Sequence, residues 1–166
     1  MIVSIIVAVA KNNVIGKNNQ LVWHLPEDMK YFRDKTMGHC VVMGRKNYDS
    51  IPEKFRPLKG RTNIVVTKQE NLSVPGCVVV HTIEHALIEA KKRNESECYI
   101  IGGADIYKQT IHLCNHLYYT KVSASPEGDA FFPDVDWKEW TLVSQKDFQQ
   151  DDKHKYSFSI CEYKKN

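Results

Sequence analysis

One carboxylate stands where an amphipathic helix should be apolar. In Trp23-His24-Leu25-Pro26-Glu27-Asp28-Met29-Lys30-Tyr31-Phe32, Pro26 suits the first helical position. Its fixed φ is helical, and its missing N–H would go unpaired there anyway. Leu25, Asp28, Met29 and Phe32 then fall at i, i+3, i+4 and i+7 and share one face. Glu27, Lys30, Arg33 and Asp34 are expected to point elsewhere, into water. An ionised carboxylate loses hydration on an apolar face, so Asp28 calls for something to bind. First-turn acids are also favoured by the helix dipole, and this segment alone leaves both readings open.

Three strand ends offer anion chemistry. Gly44-Arg45-Lys46 puts two cations at a helix start, the end that is already partly positive. They make sense there if an anion docks; a solvated pair is the alternative. Thr67-Lys68 ends the following strand. Enzymes selecting NAD often place an acid near such an end for the ribose hydroxyls. A Thr and a Lys suit a 2′-phosphate instead, and Arg45 and Lys46 would help surround it. Two charge-assisted bonds of about 1.5–3 kcal/mol each would favour NADPH over NADH about a hundredfold or more. Ile101-Gly102-Gly103-Ala104 reads as a strand-to-helix turn where backbone can approach a pyrophosphate, although a Gly pair also serves in a plain tight turn. Neither GxGxxG nor a Walker motif occurs, so a standard Rossmann or P-loop reading fails.

The elements that must position these groups follow from pattern. Ile2–Ala10 is an almost continuous apolar run, as in a strand buried on both faces. A polar loop, Lys11–Gln20, precedes the helix Pro26–Thr36. Cys40–Met43 is a short strand leading into a helix near Gly44–Ile51. Asn63–Thr67 and Cys77–His81 are strands, Ile83–Arg93 has helical spacing, Cys98–Ile101 is a strand, Ala104–Leu113 a helix and Leu117–Val122 a strand. This alternation predicts an α/β fold with a mostly parallel sheet covered on both faces. Thr141–Gln149 and Lys155–Tyr163 alternate like half-exposed strands, with Gln150-Asp151-Asp152 as the turn of an antiparallel edge hairpin.

Composition narrows the function classes. At 166 residues the chain is expected to be one domain, 1–166, and a chain of about 150 residues buries roughly 68–70% of its unfolded surface without staples. A net charge of +3 with scattered cations gives no coherent basic face for nucleic acid. Five cysteines without a CxxC read as core residues of a reduced, cytoplasmic protein. Ile5–Ala10 is too short to span a membrane. His81/His85 and His112/His116 are i,i+4 pairs without a third ligand, so no metal site is expected. No interface strip is evident, and a monomer is expected.

In order along the chain, Val14-Ile15-Gly16, Trp23-His24-Leu25-Pro26-Glu27-Asp28, Val42-Met43-Gly44-Arg45, Arg56-Pro57-Leu58-Lys59-Gly60-Arg61-Thr62-Asn63, Ile100-Ile101-Gly102-Gly103, Leu117-Tyr118-Tyr119-Thr120 and Glu127-Gly128-Asp129-Ala130-Phe131-Phe132-Pro133 resemble dihydrofolate reductase, bacterial single-domain type. Each piece is unspecific; the ordered set is not. The resemblance implies a mixed, mainly parallel eight-stranded sheet with four flanking helices and a C-terminal antiparallel hairpin. It implies NADPH-dependent reduction of 7,8-dihydrofolate to 5,6,7,8-tetrahydrofolate, serving one-carbon metabolism, and binding of diaminopyrimidine or pteridine antifolates.

The resemblance also assigns roles. Asp28 matches the carboxylate that holds the pterin N3 and 2-amino group, Thr120 a supporting hydroxyl, and Trp23 a residue holding an active-site water. Ile6 and Ile101 match positions whose carbonyls face the pterin, with Val7 beside them. Met29, Phe32, Ile51 and Leu58 match apolar walls, and Arg61 the fork for the substrate's α-carboxylate. Ala8, Ile15, Gly16, Asn19 and Leu21 are assigned to the nicotinamide side. Gly44, Asn47, Ile101, Gly102, Gly103, Ala104, Asp105, Ile106 and Tyr107 are assigned to the ring and pyrophosphate. Arg45, Lys46, Thr67 and Lys68 form the 2′-phosphate cluster. The Gly102–Gly103 peptide is expected to be cis, and the Lys11–Leu25 loop to close over the nicotinamide beside Gly128-Asp129.

Asn47, Val22 and Tyr48 depart from the common Thr, Pro and Trp; Lys54, Phe55 and Arg56 are placed within reach of the substrate's tail but align to no role. A pyrimidine reductase of riboflavin synthesis would share the fold, but the Asp28 helix and Arg61 speak against it. A non-catalytic nucleotide-binding module would have no use for Asp28.

Overall fold

The computed structural model describes residues 1–166. Its elements are β1 (Ile2–Ala10), β2 (Val14–Gly16), α1 (Pro26–Thr36), β3 (Cys40–Gly44), α2 (Arg45–Ser50), β4 (Thr62–Val66), β5 (Val78–Val80), α3 (Ile83–Lys92), β6 (Glu97–Gly102), α4 (Ala104–Thr110), β7 (His116–Val122), β8 (Ala130–Phe131), β9 (Trp140–Phe148) and β10 (Phe158–Lys165). Eight strands make one sheet in the order β5-β4-β3-β6-β1-β7-β10-β9. β1 runs parallel to β6 and β7, and β10 runs antiparallel to β7 and β9. The expected mixed, mainly parallel sheet with four helices and a terminal hairpin is the observed one.

The sheet's two faces are packed differently, and β1 shows why. Strand side chains alternate between faces. Val3, Ile5, Val7 and Val9 join the larger apolar cluster with Ala86 and Ala90 of α3 and Ile106 and Tyr107 of α4. Ile6 points the other way, into a smaller cluster against which Tyr31 and Phe32 of α1 pack while only partly buried themselves. Within α1 itself only Thr36 is buried, and Met29 is 51% exposed. The helix that carries Asp28 therefore stands off the sheet. Its apolar face is not a core face but one wall of a cleft.

Three boundaries differ from pattern. The polar loop after β1 contains β2, which pairs antiparallel with β8; this pairing links distant segments and leaves no local periodicity. α4 stops at Thr110, whose hydroxyl donates to the Ile106 carbonyl at 2.7 Å, and a 3-10 turn continues over Ile111–Leu113. The hairpin connection runs from residue 149 to residue 157, longer than the expected Gln150–Asp152 turn. All five cysteines are free, with Cys77 half-buried and the others buried. No helix is long and apolar enough to cross a membrane.

Candidate active site

The chain winds outward from β3 to β5, then returns through α3 to insert β6 between β3 and β1. Ligands of open α/β sheets bind beyond the carboxyl ends of strands at such a reversal. A cleft of about 2080 Å³ lies there. Every residue assigned above to the site lines it except Gly102. Gly102 is buried behind the cleft surface at φ +114, and a Cβ there would meet the Tyr107 ring at 3.1 Å. It shapes the turn, and its neighbour Gly103, where a Cβ would meet nothing, lines the cleft. The Gly102–Gly103 peptide is cis, as is Arg56–Pro57, which the sequence reading did not foresee.

Asp28 projects from the first turn of α1 towards β7. Thr120 Oγ1 donates to Asp28 Oδ1 at 2.6 Å. Burial raises the Asp28 carboxyl above the usual carboxylate range, and the Thr120 hydrogen bond offsets only part of that rise. Oδ2 has no hydrogen bond within the chain, and Ile6, Ala8 and Ile101 line the same cleft. A carboxylate held this way suits a planar, doubly donating cation. The Ile6 carbonyl, expected to face the pterin, already accepts the Tyr107 hydroxyl at 3.0 Å. Its second lone pair remains for another donor.

At the mouth, Arg61 is held by two bonds. Nε donates to the Lys59 carbonyl at 2.9 Å and Nη1 to Thr36 Oγ1 at 3.2 Å. Burial, then the nearby Arg33, lower its pKa from the usual arginine value. The planar fork is thus oriented, with Nη2 free of partners inside the chain. Lys30 and Arg33, expected to sit in bulk water, line the same mouth although exposed.

The opposite end is cationic. Arg45 and Lys46 open α2, and Thr67 and Lys68 follow β4. Arg45 Nε is shared between the two carboxylate oxygens of Asp49, at 3.0 and 3.1 Å, so part of its charge is satisfied within the helix. Asn47 lines this end also. Between the two ends lies the β1–α1 loop. Asn19 Nδ2 reaches across to the Lys46 carbonyl at 2.9 Å. Asp129 Oδ2 accepts from the Asn18 amide at 3.0 Å, and the Asp129 amide donates to the Gly16 carbonyl at 3.1 Å. A Cβ on Gly128 would overlap Val14 and sit 2.7 Å from the Gly16 carbonyl oxygen. This close approach explains the glycine.

Sequence reasoning missed His81 as a lining residue; Lys54 and Phe55, placed by sequence near the substrate's tail without a role, line the cleft too. His81 Nδ1 bonds the Thr67 carbonyl at 2.8 Å. The strand-end rule that found Thr67 would have found His81 had it been applied to β5. Lys54 and Phe55 sit on a 3-10 turn whose register no periodicity announces. Arg56 is not in the cleft. Its Nη1 donates to the carbonyls of Asp49 and Ile51, and its guanidinium lies over the buried Tyr48 ring at 5.5 Å.

A family model described as dihydrofolate reductase matches residues 2–165. The chain is 40% identical to a dihydrofolate reductase of Bacillus subtilis (strain 168) over 163 residues, covering 98% of this chain and 94% of that one. It is 39% identical to a dihydrofolate reductase of Haemophilus influenzae over 156 residues, covering 94% of each. A solved structure of dihydrofolate reductase from Enterococcus faecalis, complexed with NADP(H) and RAB-propyl, superposes with a TM-score of 0.91 at 36% identity, covering 99% of this chain and 96% of that one. With ordered motifs, cleft and sheet topology all in agreement with these matches, the chain belongs to the dihydrofolate reductase family.

Proposed function

We propose that this cleft performs the NADPH-dependent reduction of 7,8-dihydrofolate to 5,6,7,8-tetrahydrofolate, with Asp28 as the group that grips and polarises the pterin. The observation that carries this reading is the Asp28–Thr120 pair, bonded at 2.6 Å, in the same cleft as the cationic strand ends. Asp28 accepts from the pterin N3–H and 2-amino group. Thr120 holds the carboxylate in register for that pairing. Phe32, Ile51, Leu58 and Met29 flank the p-aminobenzoyl ring, and Arg61 forks onto the α-carboxylate.

The residues fit the cofactor. Arg45, Lys46, Thr67 and Lys68 supply donors for a 2′-phosphate, and His81 adds an imidazole fixed on the Thr67 carbonyl. Gly44 packs closely on Ile106, where a Cβ would meet Cγ1 at 3.1 Å, and a Cβ on Gly103 would meet nothing. Backbone can therefore come close to a pyrophosphate at both turns. When bound, NADPH supplies the hydride that C6 of dihydrofolate receives. Trp23 helps hold the water that gives N5 its proton, and the Lys11–Leu25 loop excludes bulk solvent.

We read residues 1–166 as a single catalytic domain and as a monomer, since the residues assigned to both ligands come from one chain. Five free cysteines suit the cytoplasm. One assay tests the reading: loss of NADPH absorbance on adding dihydrofolate, blocked by a diaminopyrimidine. Cofactor binding without turnover, or turnover of a ribityl-phosphate pyrimidine instead, would sink it.

A further inference from the structure

The helix that carries Asp28 has no cap of its own. Leu25 stands at its N-cap without a side-chain hydrogen bond, and first-turn N–H groups have no partner inside a helix. Pro26 removes one such donor, and Met29 N–H bonds the Leu25 carbonyl at 2.9 Å. The Glu27 N–H finds its acceptor elsewhere: His154 Nε2, 3.1 Å away and 127 residues later in the chain.

His154 is built for this contact. It lies in the β9–β10 connection, 3% exposed, with its ring centroid 5.2 Å from that of Phe158. The Asp151 carboxylate accepts from the His154 backbone amide at 2.8 Å and contacts Nδ1 at 2.8 Å. A carboxylate that only accepts places the proton on Nδ1, and this leaves the Nε2 lone pair for the Glu27 N–H. The bond from His154 also holds the Asp151 carboxyl below its usual range. The same region seats the helix entry, since Leu25 packs with Phe158 and Ile160. His154 itself does not line the cleft, and Glu27 directly precedes Asp28.

We infer that His154, oriented by Asp151, is a positioning residue for the reaction: it fixes the first turn of α1 so that Asp28 meets Thr120 and the pterin in register. The inference rests on the reductase reading above. Wild-type turnover, measured first, tests that reading separately, so the two failures are distinct.

The test compares His154→Leu with His154→Gln, whose side-chain carbonyl oxygen takes the place of Nε2. In His154→Leu, NADPH affinity stays at the wild-type value, whereas diaminopyrimidine affinity and single-turnover hydride transfer each fall roughly tenfold, the scale expected when a catalytic group is displaced by a fraction of an ångström. His154→Gln recovers most of both. A His154→Leu protein that melts earlier yet binds the diaminopyrimidine and transfers hydride like wild type overturns the inference, as does a Gln variant no better than Leu. If His154→Leu does not fold, Asp151→Ala decides. It alters an exposed residue and frees the imidazole tautomer. It should show the same selective loss at smaller size; equal weakening of both ligands, or of neither, overturns the inference.

Discussion

The two ends of the cleft hold charge in opposite ways. At the end we assign to the pterin, a single carboxylate is drawn out of water and given one hydroxyl partner. At the end we assign to the cofactor's 2′-phosphate, several cations stay at or near the surface, and Arg45 is already paired with Asp49. A buried charge interacts strongly and with few alternatives; an exposed one is diluted by water and salt. The pterin end is therefore expected to decide whether the reaction occurs, and the phosphate end to decide how tightly one cofactor is preferred.

The largest effect expected is that of Asp28→Asn. It removes two charge-assisted hydrogen bonds to the pterin, at about 1.5–3 kcal/mol each, so single-turnover hydride transfer at neutral pH should fall by roughly two to four powers of ten. The same substitution should stabilise the protein without ligands. Burial raises the Asp28 carboxyl above its ordinary 3.8. In the window from there up to the raised value, the folded state binds more protons than the unfolded state, so stability falls as pH rises through it. Above the window the whole penalty remains. The variant should thus melt higher than wild type at neutral pH, with the difference vanishing below the ordinary carboxylate range. A variant with near-normal turnover, or one that melts lower at neutral pH, would erase the contrast between the two ends.

Arg61→Lys comes next. It keeps the charge but loses the oriented fork and the bonds to Lys59 and Thr36. The KM for dihydrofolate should rise roughly ten- to a hundredfold, the cost of about 1.5–3 kcal/mol for one charged hydrogen bond, with kcat changed less. A pteridine substrate without the glutamate should show no difference between variant and wild type. At the other end, Arg45→Gln should weaken NADPH by only about three- to tenfold, leave NADH unchanged, and matter less at high salt. An Arg45 effect as large as that of Arg61 would show that the phosphate end is not solvent-screened.

The same contrast explains what the sequence could disclose. Asp28 was legible because helical periodicity is local and a charge breaks it visibly; Pro26 even set the helix start correctly. Thr67 and Lys68 were legible because strand ends in α/β sheets have a known use. Arg61 carries no local signal and came only through the resemblance. Sequence does not tell which glycine of the Gly102-Gly103 pair lines the cleft and which packs on Tyr107. β2, the long hairpin connection and the His154 contact depend on pairings between distant segments, which no window of residues contains.

The β1–α1 loop joins the two ends, and beyond the β2–β8 pairing its side-chain hydrogen bonds to the rest of the chain are few and exposed. Asp129 accepts one backbone amide from Asn18, and Asn19 donates one bond to the Lys46 carbonyl. A hydrogen bond that water can replace is worth about 0.5–1.5 kcal/mol. Asp129→Ala should therefore slow single-turnover hydride transfer by roughly two- to tenfold, with equilibrium affinity for the diaminopyrimidine unchanged. Asn19→Ala should do about the same. If both residues serve one closed arrangement of the loop, the double variant should be little worse than either single variant, because the first loss already releases the segment. Additive losses would mean that the two bonds act independently, each on its own end of the cleft, and that the loop is not the element through which those ends are coordinated.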